Sequence, residues 1–166
     1  MHIDRYKHTI PKISPKAKIF YGAALSGDIE VAEGVNIWYN VSMRGDMSYI
    51  RIGENTNIQD NSVVHTNLDQ PCIIGKNVTV GHGAILHACT VEDDCLIGMG
   101  SIVLDGATVE QGALVGAGCV VPPGKTVPSK HLVVGNPMKI VRELTDKELE
   151  STRKNKDYYL QLMNEY

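Results

Sequence analysis

Residues 91–121 read VEDDCL IGMGSI VLDGAT VEQGAL VGAGCV V, with an aliphatic side chain returning at every sixth position: Val91, Ile97, Val103, Val109, Val115 and Val121. A period of six excludes an amphipathic helix, which needs apolar residues three and four apart, and a hairpin meander, which needs alternation between turn clusters. Short flat strands joined by tight turns remain. None of these can bury its aliphatic residue alone, so consecutive turns must wind into a coil that stacks on the next. Outward from this stretch, the same step recovers Ile19, Leu25, Val31, Ile37 and Met43, then Ile52, Ile58 and Val64, then Ile74, Val80 and Leu86. Glycine often follows the aliphatic residue, as at Gly53, Gly75, Gly81, Gly98 and Gly116, and a small residue sits four after it at Ser62, Ala84, Cys95, Ser101, Ala113 and Cys119. Three turns of six make a triangular coil of eighteen residues, and about 17 turns predict between five and six coils.

The rhythm breaks three times. Met43 to Ile52 is three residues too long, Val64 to Ile74 four too long, and Leu86 to Val91 one too short. Insertions in a solenoid are expected as flank loops, where function usually sits. After Val121, Pro122-Pro123-Gly124-Lys125 is expected to end the regular winding, and His131 to Glu143 reads as an extended exit with a turn at Gly135-Asn136-Pro137. Thr145-Asp146-Lys147-Glu148 fits a capping box, and Leu149, Tyr159, Leu160, Leu162, Met163 and Tyr166 offer an apolar stripe. The expected division is therefore a β-solenoid over residues 1–143 and a C-terminal α-helix over 144–166.

Composition narrows the classes. Aromatics make up only 5% of the chain, which suits a narrow prism filled by Val, Ile and Ala better than a broad globular core. A net charge of −3 supplies no electrostatic case for nucleic acid or an anionic membrane. Met1 to Pro11 is charged and lacks an apolar core, so no signal peptide is expected, and no apolar run reaches transmembrane length. Cys72, Cys89, Cys95 and Cys119 form no C-x-x-C pair and read as buried reduced thiols of a cytoplasmic protein.

Three histidines fall among the breaks. His65 directly follows Val64 and His87 directly follows Leu86, three turns later, so the two share a face one coil apart. Stacked coils lie about 4.8 Å apart, and two nitrogens on one zinc lie roughly 3.3 Å apart, so stacked imidazoles can converge on one ion. Arg44, after Met43, occupies the same column one coil below. His82 is two after Val80, on another face, and cannot easily reach its own chain's pair. Three prisms packed about a threefold axis bring one face of each chain against a different face of the next, and His82 then completes the neighbour's site. The count predicts a homotrimer with one metal at each interface. It also puts Asp60 beneath His82, with Gln59 beside it, and an outer carboxylate commonly orients a ligating histidine. His2, His8 and His131 read as ordinary surface histidines.

The elements Arg44-Gly45-Asp46, Asn57-Ile58-Gln59-Asp60-Asn61-Ser62, His65, Gly81-His82, Leu86-His87 and Ile97-Gly98-Met99-Gly100 resemble the γ-class carbonic anhydrase family and its γ-carbonic-anhydrase-like relatives. The likeness extends to Gly135-Asn136-Pro137-Met138-Lys139 and to the helix carrying Tyr159. It implies the left hand of a hexapeptide-repeat parallel β-helix, since ordinary crossovers prefer the right. It further implies His65, His82 and His87 as metal ligands, Arg44 and Asp46 as an intersubunit ion pair, and Gln59 as partner of the metal-bound water. Asp60 would sit behind them and Tyr159 near the pocket rim. Zinc is the implied cofactor, iron or cobalt being accepted by the same donors, and reversible hydration of carbon dioxide to bicarbonate is the implied reaction. The family's fully active pattern has a glutamate directly after the Arg-x-Asp element and an acidic loop after the first histidine. Met47 and Thr66-Asn67-Leu68-Asp69-Gln70-Pro71 stand there instead, implying low activity.

Two other readings compete. The segment around Gly135-Asn136-Pro137 resembles hexapeptide-repeat acyltransferases, which use a histidine as general base and bind acyl-CoA between subunits. γ-like chains also serve as non-catalytic assembly subunits. Three convergent imidazoles are needed by neither.

Overall fold

The computed structural model describes residues 1–166, and its strands keep the six-residue step. Many are two residues long, as at Asn57–Ile58, Thr79–Val80 and Leu96–Ile97, because a face of the triangular coil accommodates little extended chain between corners. Stacking is parallel and in register. Ile19, Ile37, Ile58, Val80, Ile97, Val115 and Val133 form one column. Leu25, Met43, Val64, Leu86, Val103 and Val121 form the second, and Ile13, Val31, Ile52, Ile74, Val91, Val109 and Val127 the third. All but Ile13 and Ile19, which are partly buried and pack against it, belong to a single cluster of 31 buried residues. At about 1.5–3 kcal/mol for each fully buried Val, Leu or Ile, this interior is the main source of stability.

Where the six-residue step is kept, the residue three after the aliphatic commonly turns the corner in the left-handed region. Asn40, Asn55, Asn61, Asn77 and Asp94 have φ between 57° and 62°, and Gly100, Gly106, Gly112, Gly118 and Gly124 between 65° and 70°. Glycine, asparagine and aspartate enter that region at least cost. Glycines directly after the aliphatic are needed for a different reason: a Cβ on Gly98 would lie 2.5 Å from the Ala117 amide nitrogen, where two coils pass closest.

Three expectations are corrected. Seven coils stack instead of five or six, because the first face holds seven parallel strands. At the start, His2–Asp4 and Lys12–Ile13 already pair parallel with Ala24–Val31. At the end, winding continues past Val121: Thr126–Val127 pairs parallel with Thr108–Val109, and His131–Val134 with Leu114–Val115. Amides of one coil donate to carbonyls of the next, and Val120–Val121 is the last strand of its column, so Pro122 and Pro123 remove no ladder bond. The insertion between Met43 and Ile52 is no loop either. Ser42–Ile52 is one strand of 11 residues that runs from the second face onto the third, paired with Ala24–Val31 on one side and with Val63–His65 and Cys72–Ile74 on the other.

His131–Val134 turns back antiparallel into Lys139–Glu143 and leads to helix α1, Asp146–Leu162. Thr145 and Glu148 close the capping box in both directions. Thr152 is buried where α1 crosses the first face, and Thr79 donates to Asn155 at 3.4 Å. Beneath the helix, Asn57 Nδ2 donates to Thr79 Oγ1 at 2.9 Å and Trp38 Nε1 to Asn36 Oδ1 at 2.7 Å, so the buried polar column is satisfied. Trp38 stacks on Phe20 at 4.2 Å and meets the edges of Tyr159 and Tyr166, which pins the end of the helix. No helix of the chain is long and apolar enough to cross a membrane. All four cysteines are free and buried.

Candidate metal centre

Register places Arg44, His65 and His87 in one line up the second face. Across a coil spacing of about 4.8 Å, His65 Nδ1 and His87 Nε2 lean together to 3.1 Å. That is close to the roughly 3.3 Å separating two nitrogens on a tetrahedral zinc. The corner one residue short explains how His87 is held. Ala88 turns it at φ 46°, its N–H donating to the His65 carbonyl at 2.9 Å and its carbonyl accepting from Gly106 at 2.8 Å.

The remaining nitrogens meet carboxylates. His65 Nε2 lies 3.0 Å from Asp46 Oδ1, and the other oxygen of Asp46 takes the Arg44 guanidinium of the same chain. Burial works against the charged form of Asp46, yet the hydrogen bonds from His65 and Arg44 outweigh it and hold the carboxyl below its usual range. His87 Nδ1 bonds to Asp105, whose carboxyl is depressed first by that bond and further by Asn67. Asp105 and Asn67 are absent from the candidates read off the sequence. Leu104-Asp105-Gly106 looks like an ordinary turn, and the usable signal was its place one coil above His87 in the same column of corners.

His82 stands on the corner after the first face, with its side chain 46% exposed and Nδ1 2.9 Å from Asp60 Oδ2. Its Nε2 faces the Tyr159 hydroxyl at 3.5 Å. Burial first, and then the Asp60 charge, push the Tyr159 phenol up, so it stays a neutral donor. Gln59 is only 4% exposed and donates from Nε2 to Asn57 Oδ1 at 3.1 Å, leaving its carbonyl oxygen as an acceptor. Gln59, His82, Leu96, Met99 and Tyr159 line a groove of about 370 Å³. The chain thus carries two separate polar clusters: Arg44, Asp46, His65 and His87 on one face, and Gln59, Asp60, His82 and Tyr159 at another. Within one chain, no three His, Cys, Asp or Glu side chains gather where they could hold a metal ion.

Columns of this kind define a hexapeptide-repeat protein with the left-handed parallel β-helix fold. A protein-family model described as "Bacterial transferase hexapeptide (six repeats)" matches residues 88–123. A solved hexapeptide transferase family protein of Anaplasma phagocytophilum superposes with a TM-score of 0.96 at 40% identity, covering 99% of this chain and 98% of its own. Among curated relatives, the chain is 45% identical to the carbonic anhydrase of Geobacillus kaustophilus, over 94% of this chain and 86% of that one. It is 42% identical to mitochondrial gamma carbonic anhydrase 2 of Arabidopsis thaliana over 97% of its length, but spans only 62% of the plant protein. The chain belongs to the γ-class carbonic anhydrase family.

Proposed function

We propose that this protein is a carbonic-anhydrase-like homotrimer whose metal sites lie between subunits, His65 and His87 of one chain being joined by His82 of the next. The observation that carries the reading is the 3.1 Å approach of His65 Nδ1 and His87 Nε2, with His82 turned to a different face. The donor set fits zinc, and also iron or cobalt: three imidazoles, each steadied by a carboxylate on its other nitrogen. A three-histidine zinc, when bound, supplies a water that loses its proton near pH 7 and can attack carbon dioxide to form bicarbonate. Gln59, anchored through Nε2 to Asn57, would offer its carbonyl oxygen as an acceptor to that water, Asp60 holds the His82 ring, and the Tyr159 hydroxyl stands beside it. Arg44 and Asp46 pair within the chain and brace His65, and in the proposed trimer the same two charges would serve as the intersubunit ion pair. Met47 stands where a proton-relaying glutamate would serve, so hydration is expected to be slow. The chain's similarity to named carbonic anhydrases supports this reaction class.

The test is metal content and native mass on protein purified without chelator, in air and anaerobically. One metal per chain in a trimer, lost on His82→Ala, agrees with the shared site; full retention by that variant, or a stable monomer, rejects it. Stopped-flow hydration of carbon dioxide then measures the activity. An acyltransferase reading has the hexapeptide transferase match in its favour, and acetyl-CoA binding without stoichiometric metal would select it.

A further inference from the structure

The insertion after His65 folds back on the solenoid. Asn67 and Gln70 exchange backbone hydrogen bonds of 3.1 and 3.0 Å, closing a tight hairpin through Leu68 and Asp69. Thr66 is fully buried at its base, its hydroxyl accepting from the Ser48 amide at 3.1 Å. From this anchored hairpin the Asn67 amide spans two coils. Its Nδ2 donates to Asp105 Oδ2 at 2.9 Å across a separation of 38 residues, while Asp105 Oδ1 takes the bond from His87 Nδ1. The Asp105 backbone is held as well, its carbonyl accepting from Gly124 at 2.9 Å.

We propose that Asn67 and Asp105 form a positioning relay that fixes the tautomer and ring orientation of His87, so that Nε2 is offered without a proton to a divalent transition-metal cation. The relay rests on the reading of His87 as a ligand. An ionised carboxylate only accepts, so a neutral His87 facing Asp105 carries its proton on Nδ1. The lone pair is then on Nε2, the nitrogen that leans toward His65. Asn67 cannot reverse the pattern, because its own Oδ1 is committed to the Leu68 amide at 2.8 Å and only its Nδ2 faces Asp105. The four extra residues between Val64 and Ile74 thereby acquire a purpose: they carry Asn67 past the His87 coil to the carboxylate beyond it.

Asp105→Asn separates this role from bulk and packing. An amide at position 105 has one accepting oxygen for two donors. If that oxygen serves Asn67, its NH₂ faces His87 and draws the ring proton to Nε2. If it serves His87, the Asn67 contact becomes donor against donor. Zinc affinity, measured by chelator competition, is expected to fall about 10–100-fold in D105N and by less in Asn67→Ala. Long-range ¹⁵N–¹H spectra of histidine-labelled, metal-free protein read the tautomer directly, and the measurement on the parent needs neither variant to fold. Protonation of His87 at Nδ1 in the parent, shifting toward Nε2 in D105N, is the expected result. Protonation at Nε2 in the parent overturns the relay. So does parental zinc affinity in D105N beside loss of zinc in His87→Ala, an outcome that leaves the metal reading standing. Undiminished zinc binding by His87→Ala overturns the metal reading itself.

Discussion

Gly45→Ala tests whether the close passage of two strands sets both the stability of the solenoid and the placement of Asp46. A Cβ at position 45 would lie 2.5 Å from the Asp28 carbonyl oxygen and 3.1 Å from its carbon. Close carbon–oxygen contacts in proteins run at about 3.3–3.6 Å, so the strands must part by roughly 1 Å. Gly45 does not occupy the left-handed region, and crowding is therefore the main effect. Overpacking of this order costs about 1–3 kcal/mol, and for a chain of this length each kcal/mol lowers Tm by roughly 2–4 °C. A cost of about 2 kcal/mol predicts a fall of roughly 4–8 °C by calorimetry on metal-free protein at fixed concentration. Gly118→Ala is the matched control: it has open space around it but φ of 67°, a strain of about 1–2 kcal/mol. Only the first variant displaces Asp46, the carboxylate on His65, so only it should weaken zinc binding, by about tenfold. A G45A protein that melts within about 1 °C of the parent would refute the argument from crowding, and equal zinc loss in both variants would refute its link to the site.

The other predictions concern the core, the thiols and the helix. Ile97→Ala, at a fully buried position in the middle of the first column, should cost about 2–5 kcal/mol in denaturant unfolding; a loss under about 1 kcal/mol would mean the interior is not close-packed. None of the four cysteines should react with a thiol reagent at pH 8 until denaturant is added, since all are buried and desolvation pushes the Cys95 thiol up to about 12; rapid labelling of native protein would contradict their burial. The Glu148 carboxyl is held well below its usual range, first by Arg142 and then by the Thr145 amide and hydroxyl. A depressed carboxyl contributes in full above its unfolded value near 4.5 and loses that contribution as the pH falls through the lower folded value. Docking of α1, read from Trp38, the single tryptophan, should therefore hold from pH 7 to 5 and loosen only below about pH 4. Glu148→Gln should show a weaker acid dependence than the parent, and identical acid profiles would refute this assignment.

Much of the site was readable as arithmetic. In a solenoid, spatial neighbours lie at nearly constant sequence offsets, so the column of Arg44, His65 and His87, the separate face of His82 and the place of Asp60 below it all follow from counting sixes. Glycine and asparagine at the third position after most of the aliphatics are an equally legible corner signal, since those residues enter the left-handed region at least cost. Counting failed where the step itself changed. The insertion at Met43 became a continuous strand, because Ala24–Val31 alongside it is long enough to pair with it across two faces, a fact held by another coil.

By itself, then, the order of residues determined the prism, its parallel stacking and the vertical pairing of two imidazoles, because these depend on a repeat length and on burial of one side chain per turn. The tertiary structure alone decided that seven coils form, that Asn67 reaches Asp105, that Tyr159 meets His82, and that Arg44 closes on Asp46 in its own chain. Those contacts depend on which of several donors and acceptors on different coils come within about 3 Å of one another. Backbone turns and side-chain rotamers throughout the stack settle that together, and no local stretch of sequence encodes it.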